Sequence, residues 1–231
     1  MPVVKPEIMS KAVGVPPSGR RRSLWSYYER RAPDYEGGIR GTQRYFSGLG
    51  VDANPEHIRA ELQEVTHQLA QLSSAVFLDV GAGPGVFEPL LPGRGFALDQ
   101  SESTLRRLRI EVAGVPVIRG DATTLPIADK SVARVFAGHL YGHLEERERV
   151  AFLAEARRVG DELVILDSGR PPGAQAEEWQ RRTLADATSY TVYKRHFDID
   201  ELVAEIGGEP LFGGHYYVLV RSITPIRPAH Q

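Results

Sequence analysis

The chain has 231 residues, 42% of them apolar, with 28 basic and 30 acidic side chains and no cysteine. That length buries one good core, and the formal charge of -2 argues against nucleic acid or an anionic membrane as the main partner; the lack of cysteine excludes disulfides, thiolate metal sites and a cysteine nucleophile. No apolar run reaches membrane-spanning length and the N-terminus lacks the apolar stretch of a secretion signal, so a cytoplasmic protein is expected.

Residues 1–23, with prolines at 2, 6, 16 and 17 and the triplet Arg20, Arg21 and Arg22, read as a flexible arm. In Leu24 to Gly38 aromatic residues are interleaved with charges, and Pro33 predicts a short helix before Ala32 with a turn after it. A helix then starts at Asn54 or Pro55. Ile58, Leu62, Val65, Leu69 and Leu72 recur at spacings of three and four and form its core stripe.

From Ala75 onward strand-like and helix-like segments alternate. AVFLDV, GFALDQ and VPVIRGD are apolar runs closing on Asp79, Asp99 and Asp121, and SVARVFAG and DELVILDS follow. ESTLRRLRIEV and ERERVAFLAEARRV lie between them as helices. Continuous apolar strands separated by helices predict an α/β fold with a parallel sheet buried on both faces. A helix over IDELVAEIGG comes next, then PLFGGHYYVLVRSI, whose two glycines mark an antiparallel hairpin.

In such a sheet a ligand binds where the first strand turns over, which is VFLDVGAGPGVF. Gly81 and Gly83 let backbone approach a ligand, and Gly85 lets a helix approach the strand. The dinucleotide fingerprint needs a glycine where Val86 stands, and a Walker loop needs a Lys followed by Ser or Thr that is absent here. Taken singly, Asp79, Asp99 and Asp121 also suit helix caps or turns.

LDVGAGPG resembles motif I of the class I S-adenosylmethionine-dependent methyltransferases, and Asp99, the segment RGDATTLPIADKSVARVF and the terminal hairpin follow in that family's order. The resemblance covers about Ser23 to Ser222. It implies a Rossmann-like, doubly wound, mostly parallel seven-stranded sheet with an antiparallel last strand, and S-adenosyl-L-methionine as cofactor. It implies that Asp79 and the backbone around Gly81 hold the methionine end, that Asp99 takes the ribose hydroxyls, and that Asp121 and Ala122 flank the adenine. SYYERRAPDYE resembles the lid of the small-molecule, quinone C-methyltransferase-like branch. Tyr27, Tyr28, Tyr35 and Arg31 are then expected at the cofactor's sulfonium and carboxylate, in a single domain over 24–231 whose lid is 24–50.

The resemblance implies an acceptor side after the fourth strand, in AGHLYGHLEERER, which makes His139, Tyr141 and His143 the catalytic candidates, with Gly138 supplying freedom to turn. The two histidines are four apart, but Gly142 interrupts them and no acidic third ligand is near, so no metal is expected. The segment 168–197 is expected to form the acceptor pocket through Arg170, Tyr193 and Arg195, with Arg181 and Arg182 on a solvated helix face. The residues thus point to methyl transfer onto a small molecule by in-line displacement, yielding S-adenosylhomocysteine, without nucleic acid. They leave open a non-catalytic binding module or a nicotinamide-dependent oxidoreductase, the acceptor's identity and the oligomeric state.

Overall fold

A computed structural model describes residues 19–35 and 53–223 of the chain. Its centre is a seven-stranded sheet of β1 (Ala75–Val80), β2 (Gly93–Asp99), β3 (Val117–Arg119), β4 (Val132–Gly138), β5 (Gly160–Ser168), β8 (Glu209–Gly213) and β9 (Tyr217–Ile223). The strands lie in the order β3-β2-β1-β4-β5-β9-β8, and β6 (Glu177–Thr183) and β7 (Ser189–Arg195) form a separate two-stranded sheet. β1 pairs in parallel with β2 and β4, and β4 with β5, whereas the last strand, β9, runs antiparallel between β5 and β8. This is the predicted topology.

The sheet is buried on both faces because its central strands are apolar at odd and even positions alike. Leu78, Val135 and Ile165 pack into one core with Phe152 and Val218, while Phe77, Phe136 and Val164 pack into a second with Ile58, Val65 and Leu69. The side-chain period of two deals neighbours to opposite faces. Each fully buried Phe or Leu contributes about 1.5 to 3 kcal/mol.

The helices begin where short polar side chains cap them. Asn54 Oδ1 accepts from Glu56 N at 2.8 Å ahead of α2 (Pro55–Ala70), and Ser101 Oγ accepts from Thr104 N at 3.1 Å ahead of α3 (Glu102–Glu111). Glu145 and Glu148 form a capping box at the start of α4 (Glu146–Val159), and Asp198 caps α5 (Ile199–Ile206). The predicted stripe on α2 is buried at Ile58, Val65 and Leu69, while Leu62 is half-buried at the edge of the candidate site described below.

Three expectations need correction. α1 spans Gly19–Arg31, so the last five residues read as a flexible arm are helical; residues 1–18, and 36–50 of the expected lid, lie outside the described residues. Arg181 and Arg182 are on β6, not on a helix, because EEWQRRT and SYTVYKR bury Gln180, Val192 and Lys194 by alternation, and seven register pairs from Glu177↔Arg195 to Thr183↔Ser189 join them. After β1 no full helix forms: Pro84, Pro89 and Pro92 leave room for a single 3₁₀ turn, Glu88–Leu90.

The carboxylate of Glu61 on α2 accepts from the backbone N–H groups of His215 at 2.8 Å, Tyr216 at 2.8 Å and Tyr217 at 3.1 Å. A side chain on Gly214 would meet Glu61 Oε2 at 2.4 Å, so glycine there makes the clamp possible. Glu61→Ala leaves those donors without their anionic acceptor and is expected to lower stability by about 2 to 3 kcal/mol in chemical denaturation. An unchanged midpoint would mean that water replaces the clamp at no cost.

Candidate functional site

The loop after β1 turns on three glycines with positive φ, Gly81 at 73°, Gly83 at 58° and Gly85 at 88°. The N–H groups of Gly81 and Ala82 donate to the carbonyl of Leu98 at 2.7 and 3.0 Å, which pins the loop across the end of β2. Each glycine has its own reason. A Cβ on Gly81 would meet Leu140 at 3.1 Å, and one on Gly85 would meet Val112 at 2.7 Å and Leu108 at 3.0 Å, so Gly85 admits the end of α3. On Gly83 the nearest atom is the Gly81 carbonyl oxygen at 4.0 Å, so that side of the loop is open.

Asp99, at the end of β2, accepts from Gly83 N through Oδ2 at 3.0 Å and from Ser101 N through Oδ1 at 2.8 Å. It therefore holds the glycine loop and the start of α3 while facing the site. Asp121 forms a turn: its Oδ1 accepts from the N–H and hydroxyl of Thr123 at 2.8 and 2.7 Å. The loop, Asp99, Asp121 and Ala122 line a cavity of about 360 Å³.

α1 covers that cavity. Tyr28, Arg31 and Tyr35 line it, the Arg31 guanidinium lying 5.0 Å from the Tyr35 ring centroid. Tyr28 Oη is buried without a hydrogen-bond partner among the described residues, and burial raises its pKa well above that of a free phenol. Behind α1, Tyr27 packs on Leu184 and Val192 of the hairpin formed by β6 and β7. The predicted lid and the acceptor-side segment thus meet over one cavity.

Asp79 does not line it. The side chain is fully buried beneath the loop beside Glu88, which sequence reasoning missed, and none of the four carboxylate oxygens has a hydrogen-bond partner among the described residues. Two ionised carboxylates only accept, so they bond each other only when one carries a proton. Burial, then the neighbouring Glu88, raises Asp79 well above the carboxylate range, and burial raises Glu88 to about 7.

At the other end lie His139 and His143. His143 sits in a 3₁₀ turn, Tyr141–His143, and its Nδ1–H donates to the carbonyl of Tyr193 at 2.9 Å. Enclosure of the ring, then the charges of Lys194 and Arg182, hold its pKa well below the usual imidazole value. Lys194 and Arg182, neither of them among the expected site residues, also line the cavity. The Lys194 ammonium is 2.6 Å from Asp167 Oδ1 with both side chains almost wholly buried. Burial alone would raise Asp167, but Lys194 and His139 beside it hold its carboxyl well below the usual carboxylate range.

Four further expected site residues lie outside the cavity, as do Gly85, which packs against α3, and Tyr27, which packs on the hairpin. Tyr141 is fully buried in the core and its hydroxyl donates to Glu205 at 2.8 Å. Arg170 pairs with Glu201 at 2.8 Å, the hydroxyl of Tyr193 is 3.3 Å from Arg149, and Arg195 bridges Glu177 and Glu205, each at 3.3 Å. On β7 the strand alternation turns Lys194 inward and leaves Tyr193 and Arg195 to bind neighbouring elements. Among the described residues no three acidic or histidine side chains converge as a metal site, and no helix is long and apolar enough to cross a membrane.

Residues 78–162 match a family described as a methyltransferase domain. A curated relative, phthiotriol/phenolphthiotriol dimycocerosates methyltransferase 1 of Mycobacterium ulcerans (strain Agy99), is 30% identical over 142 residues, 56% of this chain and 49% of its own. The chain thus spans about half the length of that relative. Among solved structures, the DhpI complex with SAH superposes with a TM-score of 0.64 at 20% identity, over 90% of this chain and 98% of that one. The glycopeptide N-methyltransferase MtfA in complex with S-adenosyl-L-methionine gives 0.53 at 21% identity, over 71% and 93%. At these identities the superpositions establish the shared fold.

The buried acid pair sets a pH dependence. Both pKa values are raised on folding, so the stabilisation is complete below the unfolded value near 4.5 and is lost as pH rises through about 7. Glu88→Gln removes one charge and gives Asp79 an N–H donor. The variant should match the wild type at pH 5 and exceed its stability by about 1 to 3 kcal/mol at pH 8 in ligand-free denaturation. Parallel pH profiles for the two proteins would show that the pair carries no shared proton.

Proposed function

We propose that this chain, whose residues 78–162 match a methyltransferase domain family, transfers a methyl group from S-adenosylmethionine to a small-molecule acceptor. The observation that carries the reading is one cavity shared by the open glycine loop after β1, the Asp99 carboxylate at the end of β2 and the Asp121–Ala122 turn after β3. The residues fit that cofactor without a phosphate cradle: Gly83 leaves space for a nucleoside, Asp99 offers a carboxylate to a ribose diol, and Tyr28 presents a buried hydroxyl without a partner among the described residues.

When bound, the cofactor supplies a methyl group activated by its sulfonium. This chain's residues bind, orient and exclude water. Asp99 and the loop fix the nucleoside end. Tyr28 and Tyr35 place aromatic faces where a cationic centre is stabilised. The hairpin and α1 close over the acceptor end and keep the reacting atoms in line, which is where positioning lowers the barrier. A small acceptor suits a cavity of about 360 Å³ covered from above.

Isothermal titration with S-adenosylhomocysteine should show saturable one-site binding, whereas NADH should give none. Asp99→Ala removes the ribose acceptor and the support of Gly83 N, and should weaken that binding by roughly 1.5 to 3 kcal/mol, about 10- to 150-fold. Gly83→Val places a branched side chain at positive φ on the open side of the loop and should weaken it by about tenfold or more. Binding of NADH instead of S-adenosylhomocysteine, or folded variants with wild-type affinity, would reject the reading.

A further inference from the structure

His139 adopts φ of +54°, a left-handed conformation that non-glycine residues seldom take, and Gly138 before it does not. Gly138 has a different reason: a Cβ there would lie 2.5 Å from the ring of Phe87. The strained backbone is fixed by the bond from His139 N to the Leu166 carbonyl at 2.7 Å. The ring lies between Phe87 and Tyr217, 5.9 and 5.8 Å from their centroids, and keeps one third of its side-chain surface exposed to the cavity. Its Nδ1 faces Asp167 Oδ1 at 3.9 Å, within ion-pair reach.

Asp167 is itself held rigidly. Oδ1 accepts from Ser168 N at 2.7 Å and from Lys194 Nζ at 2.6 Å, and Oδ2 accepts from Gly142 N at 2.8 Å. An acceptor fixed on the Nδ1 side favours the tautomer with its proton on Nδ1, which leaves the Nε2 lone pair for the cavity.

We infer that Asp167 is the positioning residue for His139 as general base, and hence that the acceptor is a molecule whose nucleophilic atom carries both a proton and a lone pair, a hydroxyl or a neutral amine. This rests on the methyl-transfer reading above. As the acceptor atom's electron pair forms the bond to the methyl carbon, the carbon–sulfur bond breaks with its pair left on sulfur. The acceptor's proton passes to Nε2 of His139 and from there to solvent. The charged groups around the ring are the Asp167 carboxylate on β5 and the Lys194 ammonium on β7; Arg182 on β6 acts on Lys194, and the buried His143 imidazole faces the same pair. Lys194 keeps Asp167 ionised, and Asp167 stands between the Lys194 ammonium and the His139 ring.

The test reads the tautomer directly, without an acceptor. Nitrogen-15 spectra of the full chain, with the His139 ring assigned by its loss in His139→Gln, should show neutral His139 protonated on Nδ1. Asp167→Asn should move that population to the Nε2–H form while S-adenosylhomocysteine binding persists. A wild-type ring protonated mainly on Nε2, its Nδ1 then accepting from Lys194, would overturn the inference even if Asp167→Asn does not fold. So would an unchanged tautomer in folded Asp167→Asn. Failure of S-adenosylhomocysteine to bind the wild type would instead reject the methyl-transfer reading, a result separate from the tautomer.

Discussion

The ion pair between Lys194 and Asp167 holds the acceptor end of the cavity together. It joins a hairpin outside the main sheet to the carboxyl end of β5, with both charged groups out of water. Such a pair survives burial only when the remaining lone pairs are satisfied, and here the N–H groups of Ser168 and Gly142 complete the shell of Asp167. Gly142 is part of the same constraint, because a Cβ there would sit 2.7 Å from Lys194 Nζ and 2.8 Å from Asp167 Oδ1. Through Gly142 N the carboxylate also fixes the turn that carries His143. Position of His143, closure of the hairpin and ionisation of Asp167 are consequences of one contact.

The cavity divides by charge. Toward β1, β2 and β3 the titratable groups are mainly acids, Asp99 and Asp121 on its wall and the Asp79–Glu88 pair beneath the glycine loop, with the Arg31 guanidinium of α1 against Tyr35. Toward β4, β5 and the hairpin they are mainly bases, His139, His143, Lys194 and Arg182. In a space with little water, charges act over several ångströms with far less screening than at a surface. The acidic end suits a ligand bearing an ammonium and a sulfonium, and the basic end suits a group that gives up a proton. The parallel sheet creates this division, since its strands deliver their terminal residues side by side along one edge.

The sheet was legible because its strands announce themselves. Runs such as AVFLDV and DELVILDS carry apolar residues at successive positions, Val76 to Leu78 and Leu163 to Leu166, as a two-sided strand requires, and turn and cap residues bound them. The cofactor end was legible for a related reason: Gly81, Gly83, Gly85, Asp99 and Asp121 lie at strand ends, where chain order and spatial order coincide. The acceptor end was not. Lys194 stands beside Tyr193 and Arg195 in a segment with no strong pattern, and only pairing across β6 decides which of them faces inward. Glu88 carries no signal at all, since nothing local distinguishes a buried acid from a turn residue. Tyr141 shows the same gap from the other side, for its hydroxyl finds Glu205 sixty-four positions away and the ring joins the core.

The covering of the cavity follows a different rule from its floor. α1 meets the cofactor end through polar contacts, Trp25 Nε1 to the Gln100 carbonyl at 3.2 Å, Glu29 to Ser103 N at 3.1 Å and Arg107 to the Ala32 carbonyl at 2.9 Å. It meets the acceptor end through the small cluster of Tyr27, Leu184 and Val192. Neither set belongs to the two large cores on the sheet faces. Local opening free energy scales with the apolar surface and protected hydrogen bonds that opening gives up. α1 gives up a few bonds near the surface and one minor cluster, whereas release of a central strand would expose both cores. One helix, α1, thus touches both ends of the cavity and is held, among the described residues, by polar contacts and one minor cluster rather than by the two large cores.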